Sequence, residues 1–337
     1  MSRPKILIAR ATFDEIPTYL SHYFEVQSNQ ADISWTPATL AAALADKDGV
    51  ITNLTEPINA QLLAQTPRLK AVCNNAVGYN NLDMAALTAA GVIATNTPDV
   101  LTETTADMAW ALLMATARRI SEAEDWLRAG HWQQFRFDSF LGQDVHGATL
   151  GIIGMGRIGQ AIARRAQGFN MQVLYHNRSQ LDAPLEQQLH ATYVDKATLL
   201  READHVLLVL PYSAESHHTI GAAELAQMKP TATLINIARG GIVDDAALAN
   251  ALRTGQIAAA GLDVFENEPQ VHPALLAVSN IVLTPHIASA TQVTRMKMIK
   301  LAADNLIAAL GFGPQAGQPP CILNPAVLAQ NRTTPRA

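Results

Sequence analysis

Short apolar runs and longer amphipathic stretches alternate along the first hundred residues of the chain. The apolar runs fall at 5–9, 24–27, 49–52, 69–74 and 92–96, and segments with helical spacing lie between them, around 17–23, 37–45, 60–65 and 82–90. Strands that alternate with helices predict a parallel sheet with both faces covered. Thr36-Pro37 sets a capping residue before a first-turn proline, and Gly91 closes the last of these helices. Pro98 ends the series.

From 101 to 120 the pattern becomes one Ala- and Leu-rich helix, with Trp110, Leu113 and Ala117 on or near one stripe, running on towards Gly130 and Trp132. A second strand and helix series starts after Gly147, with a strand from Thr149 and further strands at 171–176, 204–210, 232–237, 258–265 and 280–283. Residues 291–310 are again helical, and their place after the last strand lets them return to the first domain; 326–337 reads as a frayed tail. The expected fold is α/β, with two doubly wound parallel-sheet domains. A flavodoxin-like substrate domain spans 1–98 and 288–325, a Rossmann dinucleotide-binding domain at 99–287 is inserted in it, and 326–337 follows.

The strand from Thr149 runs directly into Gly154-Met-Gly156-Arg157-Ile158-Gly159 and then a helix. In such a turn the first glycine permits the bend, the second lets backbone approach a pyrophosphate, and the third lets helix and strand pack closely. The helix N-terminus then receives the anion. NAD binders place an acidic residue at the end of the second strand to bond the adenosine ribose. Here that position is Asn177, followed by Arg178 and Ser179. With no carboxylate to repel a 2′-phosphate and an arginine to pair with it, NADP(H) is the expected cofactor and NAD(H) the alternative.

Composition removes other classes. Charged residues make up 16% of the 337, against about 25% in typical soluble domains, so much of the chain is expected inside cores or interfaces. A net charge of -5 without any Lys/Arg run argues against a phosphate-backbone binder, so no nucleic acid partner is expected. Apolar runs such as 106–117 are interrupted well short of the roughly 20 residues that span a bilayer. The first ten residues lack the apolar core of a secretory signal, and a cytoplasmic protein without a membrane partner is expected. Cys73 and Cys321 are too few for a disulfide framework. His217-His218 reads as a solvated helix start, where adjacent side chains diverge and no third ligand is close in sequence, so no metal is expected.

Arg239, Glu268 and His286 each follow the end of a predicted strand in the second domain. Ligands bind beyond those ends in open α/β sheets. An arginine there can grip a carboxylate with paired hydrogen bonds, a histidine can exchange a proton near neutral pH, and a carboxylate can orient it. Each alone has an ordinary reading as a surface or capping residue; all three beside a nucleotide site predict catalysis.

The run from Thr149 to Gly159, with Ile235-Asn-Ile-Ala-Arg239-Gly-Gly, Gly261-Leu-Asp-Val-Phe-Glu-Asn-Glu268-Pro269 and Pro285-His286-Ile-Ala-Ser289, resembles the D-isomer-specific 2-hydroxyacid dehydrogenase family. The likeness covers nearly the whole chain and is closest to the branch of glyoxylate/hydroxypyruvate and 2-ketogluconate reductases. It implies hydride transfer from a nicotinamide cofactor to the C2 carbonyl of a small 2-oxo acid. Arg239 would bind carboxylate and carbonyl, His286 would act as acid and base, and Glu268 would support it. The backbone N–H groups of Val77 and Gly78 would hold the substrate carboxylate, with Asn53 and Leu54 also at the substrate. Gly154, Gly156, Arg157, Ile158 and Gly159 would meet the pyrophosphate, and Asp263 the nicotinamide carboxamide. Thr105, Leu210, Pro211, Ile237, Ala238 and Ser289 would line the cofactor site, with Arg239 and His286 at its reactive end.

Formate dehydrogenases of similar fold carry glutamine where Glu268 stands, and phosphoglycerate dehydrogenases usually carry an arginine in the loop that here reads Thr52-Asn53-Leu54-Thr55. Both are disfavoured. An NAD-linked D-lactate-type dehydrogenase and a nucleotide-sensing corepressor are the other readings. The segment 102–140 holds more apolar surface than one helix on a small sheet would bury, and the resemblance also points to a homodimer contact there. Trp126 and Trp132 fit core or dimer packing as well as a substrate contact across a subunit boundary.

Overall fold

Two all-parallel sheets order the described residues, 3–333 of the computed structural model. The first holds β1 (Lys5–Ile8), β2 (Glu25–Ser28), β3 (Gly49–Thr52), β4 (Ala71–Asn74) and β5 (Ile93–Thr95), in the order β2-β1-β3-β4-β5. The second holds β6 (Thr149–Ile153), β7 (Gln172–His176), β8 (Ala191–Tyr193), β9 (His205–Leu208), β10 (Thr233–Asn236), β11 (Ala259–Leu262) and β12 (Ile281–Leu283). Its order is β12-β11-β10-β9-β6-β7-β8. The winding reverses at β1/β3 in one sheet and at β6/β9 in the other, the switch points beyond whose strand ends such folds bind ligands. One compact unit is built from the chain up to Leu101 and from Thr291 onward, the other from Thr102–Ala290.

β1, β3, β4 and β5 are buried on both faces, which is why they read as apolar runs, whereas the edge strand β2 is partly exposed. Leu7, Val50 and Val72 point to one side, against Leu40, Leu44, Leu62 and Leu87. Their chain neighbours Ile6, Ile8, Ile51 and Cys73 point to the other, against Ile16, Leu20 and the Ile299, Ala303 and Leu306 side chains of the helix Gln292–Ala309. The predicted cap at Thr36 forms, its hydroxyl accepting from the N–H of Thr39 with Pro37 in the first turn.

Three elements differ from expectation. The helix foreseen over 101–120 stops at Ala117, whose carbonyl accepts the N–H of Gln143 at 2.8 Å; Arg119 then turns left-handed (φ 54°) and a separate helix spans Ile120–Arg128. The three-residue edge strand β8 was not foreseen, being too short to show a period. The tail expected from 326 is helical over Ala326–Thr333, with Val327 fully buried among Phe24 and Ile6. Just before it, the Asn324 amide donates to Val92 O and accepts from Ala94 N, both at 2.9 Å, fastening the chain beside β5. Residues 334–337 of that tail lie outside the described ones. Among the described residues no helix is long and apolar enough to cross a membrane.

Candidate active site

β6 ends at Ile153 and the chain turns through Gly154 (φ 103°) into the helix Arg157–Ala166. Gly156 starts that helix with no side-chain cap, and a Cβ built there would meet nothing within 4 Å. A Cβ on Gly159 would instead lie 2.2 Å from Gly154 O, so this residue secures close helix packing. The open approach at Gly156, the uncapped N-terminus and the following Arg157 and Ile158 fit a dinucleotide pyrophosphate. Leu210 and Pro211 follow β9, with the Leu210 backbone close against Gly154; Ile237 and Ala238 are buried after β10, and Thr105 is buried on the helix Thr102–Ala117.

β7 ends at His176, and Asn177 is half-buried while Arg178 and Ser179 are exposed. This loop is anchored: Tyr193 donates to Asn177 O at 3.2 Å, and the Tyr175 hydroxyl accepts from Leu181 N at 2.8 Å while donating to Glu186 at 2.6 Å. The hydroxyl of Ser213 and, through its charge, Arg178 hold the Glu215 carboxyl below its ordinary range.

At the other strand ends, Glu268 Oε2 lies 2.7 Å from His286 Nδ1, and Glu268 Oε1 accepts the N–H of Phe265 at 3.0 Å. A carboxylate only accepts, so Nδ1 carries the proton and Nε2 is the nitrogen left for exchange. Burial pushes the Glu268 carboxyl up, but the His286 hydrogen bond and charge, the Phe265 N–H and Arg239 outweigh it and hold it below the usual range. Half-buried Arg239 feels the opposite balance: burial lowers its pKa, Glu268 raises it, and lowering prevails.

Two buried polar side chains shape the loops that carry this pair. Asn236 accepts from Ala238 N at 3.0 Å and donates to Arg239 O at 3.2 Å. Asp263, wholly buried, accepts from Thr284 Oγ1 (2.6 Å), Ile287 N (2.8 Å) and Ala288 N (2.9 Å). His286 between them is left-handed (φ 54°), and its own N–H donates to Asp263 O at 2.9 Å. Asp263, expected at the nicotinamide, thus has three bonds committed to the histidine turn. Ser289 is half-buried at the end of that turn.

In the other unit, three consecutive carbonyls are held from within: Ala76 O by Thr97 N (2.9 Å), Val77 O by the Asn96 amide (2.8 Å) and Gly78 O by the Asn74 amide (2.9 Å). Among the described residues no hydrogen bond uses the N–H of Val77 or Gly78, so both donors of this loop are uncommitted. Asn53 and Leu54 are half-buried nearby in the chain order of β3, with Asn53 O accepting from the Asn81 amide at 2.8 Å.

Sequence reasoning missed Asn74, Asn96, Asn236 and the positioning role of Asp263; polar residues closing a strand in an apolar run were the available signal. The His217-His218 reading also needs correction. These residues do not start a helix: they follow a single 3-10 turn at Ala214–Ser216, and their rings stack 3.8 Å apart.

The sequence profile described as "D-isomer specific 2-hydroxyacid dehydrogenase, NAD binding domain" matches residues 110–288. A glyoxylate reductase of Thermococcus onnurineus is 47% identical, over 97% of each chain. Among solved structures, a glyoxylate reductase from Paecilomyes thermophila aligns with a TM-score of 0.85 at 33% identity, covering 96% of this chain and 98% of that one. An NADPH-dependent glyoxylate/hydroxypyruvate reductase from Sinorhizobium meliloti, in complex with NADP and malonate, aligns with a TM-score of 0.83 at 37% identity, covering 96% and 97%.

Proposed function

Because the chain belongs to the D-isomer-specific 2-hydroxyacid dehydrogenases, a family of NAD(P)-dependent oxidoreductases, we propose that it is an NADPH-dependent reductase of small 2-oxo acids, with glyoxylate, hydroxypyruvate and 2-ketogluconate as the substrates to rank. The observation that carries this reading is the 2.7 Å bond between Glu268 and His286, with Arg239 within the same electrostatic set. A nicotinamide cofactor held at the Gly154–Gly159 turn would supply the hydride for C2. His286 Nε2–H gives its proton to the developing alkoxide, and Glu268 stabilises and orients the charged ring. Arg239 binds the carboxylate and steadies charge on the carbonyl oxygen, with the Val77 and Gly78 N–H groups as further carboxylate donors. In the reverse direction neutral His286 is the base.

The preference for NADPH rests on Asn177 and Arg178 at the end of β7, where the strand-end position itself carries no carboxylate to oppose a 2′-phosphate. A homodimer is supported by six exposed large apolar side chains within 120–141: Ile120, Leu127, Trp132, Phe135, Phe137 and Leu141.

Catalytic efficiencies for glyoxylate, hydroxypyruvate, 2-ketogluconate and pyruvate, each with NADPH and NADH, test the proposal. Highest kcat/KM with NADPH and one of the first three supports it. Faster D-lactate oxidation with NAD favours the NAD-linked alternative, and tight nucleotide binding without turnover favours a sensing role.

A further inference from the structure

His217 and His218 sit where the chain reverses after β9, and the backbone, not helical spacing, brings their rings together. Ser216 Oγ accepts from Ser213 N at 2.7 Å and closes the 3-10 turn; His218 is then left-handed (φ 50°) and its N–H donates to Gly241 O at 2.7 Å. Gly241 leaves the room this needs, since a Cβ there would stand 3.0 Å from the Tyr212 ring and 3.3 Å from His217 Nδ1. On the far side, His218 Nε2 is 3.1 Å from Glu266 Oε1, and His218 Nδ1 is 4.0 Å from Asp244 Oδ2. One ligand atom from each of His217, His218 and Glu266 lies within 4.8 Å of the others.

We propose that His217, His218 and Glu266 form a site for one zinc-class divalent ion, which fastens the loop after β9 to the turn that precedes Glu268. Two imidazoles and a carboxylate are a donor set suited to Zn²⁺ and its neighbours, with a fourth position left for water. Arms of about 2.1 Å in tetrahedral array put ligand atoms about 3.4 Å apart. The His218–Glu266 pair already stands near that separation, and exposed His217, whose Nδ1 now lies 3.2 Å from the Tyr212 hydroxyl, must turn out of that bond and off the His218 ring to complete it. Asp244 and Asp245, whose Oδ2 accepts the Glu266 N–H at 3.3 Å, add negative charge around the site. The ion is a clamp, not part of the hydride chemistry: Glu266 neighbours Phe265, whose N–H holds Glu268.

The test uses the full chain, stripped of metal with a chelator and titrated with Zn²⁺ by calorimetry and with Co²⁺ by visible absorption. The expected result is one equivalent bound at micromolar concentration, with tetrahedral Co²⁺ bands, and a rise in Tm on adding Zn²⁺. His217→Asn, His218→Asn and Glu266→Gln each weaken binding by at least about tenfold, the loss of one ligand's share. The double variant His217→Asn with Glu266→Gln shows no Zn²⁺-dependent rise in Tm while keeping metal-free turnover, which certifies its fold. Absence of micromolar binding, or binding unchanged in the double variant, overturns the proposal.

Discussion

The N–H of Asp263 donates to the carbonyl of Asn236 at 2.9 Å, and from these adjoining ends of β10 and β11 each side chain holds one of the loops that carry Arg239 and His286. The relation makes Asp263 a positioning residue. In Asp263→Asn one acceptor oxygen becomes an amide that confronts the N–H of Ile287 or Ala288 in a buried place. A loss of about 1–3 kcal/mol in stability is expected, together with a fall in kcat larger than the change in KM for the oxo acid. Thermal melts and steady-state kinetics check it; intact kcat would show that the turn keeps its shape unaided.

His286→Ala is expected to slow the chemical step by about 10² to 10⁴, the usual worth of a general acid. NADPH affinity, read by fluorescence titration, stays close to wild type because the glycine turn at 154–159 is untouched. Near-normal turnover would move the proton donor elsewhere.

Glu268 ties stability to pH. Its carboxyl is held below the ordinary value of 4.5 in the folded state, so that state binds fewer protons than the unfolded chain. The stabilisation is therefore present above that value and lost as pH falls through the lower folded pKa. The difference in Tm between wild type and Glu268→Gln is expected to narrow on acidification through this window. A difference independent of pH would contradict the charged pairing with His286.

The cofactor preference is expected to reverse in Asn177→Asp with Arg178→Gln. A charge-assisted bond from Arg178 to a 2′-phosphate is worth about 1.5–3 kcal/mol, or roughly 10- to 100-fold in affinity. The change should fall on KM for NADPH more than on kcat. Wild type more efficient with NADH would refute the reading of the β7 end.

Phe135 and Phe137 are 82% and 91% exposed, so charges placed there spare the fold of a single chain. Phe135→Asp with Phe137→Asp should convert a dimer into a monomer in sedimentation at micromolar concentration. A monomeric wild type would refute the dimer outright.

Much of this was readable from residue order, for physical reasons that differ by element. β1, β3 and β4 are sandwiched on both sides and had to be apolar throughout; the turn admits little but glycine at Gly154, where φ is positive, and at Gly159, where the backbone comes close. Arg239, Glu268 and His286 announced themselves by following strands. Asp263 and Asn236 act through side-chain bonds to backbone, and Asp263 reaches across 25 residues to Ala288, a separation that leaves no local pattern. The same holds for Asn324, which finds Ala94 across 230 residues. His217 and His218 were judged by helical geometry, in which neighbours splay apart, whereas a left-handed turn stacks them.

The helix Gln292–Ala309 covers a sheet whose strands were all made before residue 96. On a ribosome adding about 5–20 residues per second, the Ile6, Ile8, Ile51 and Cys73 face therefore waits on the order of ten seconds or more for its cover, while the intervening unit from Thr102–Ala290 emerges whole. The order of maturation is thus inverted relative to the order of synthesis: the middle of the chain can complete its core first, and the amino-terminal sheet is the last surface to be sealed. A nascent chain arrested before Gln292 would present the part of that face that Ile16 and Leu20 leave uncovered, making it the natural foothold for a chaperone and the place where truncated products would begin to aggregate.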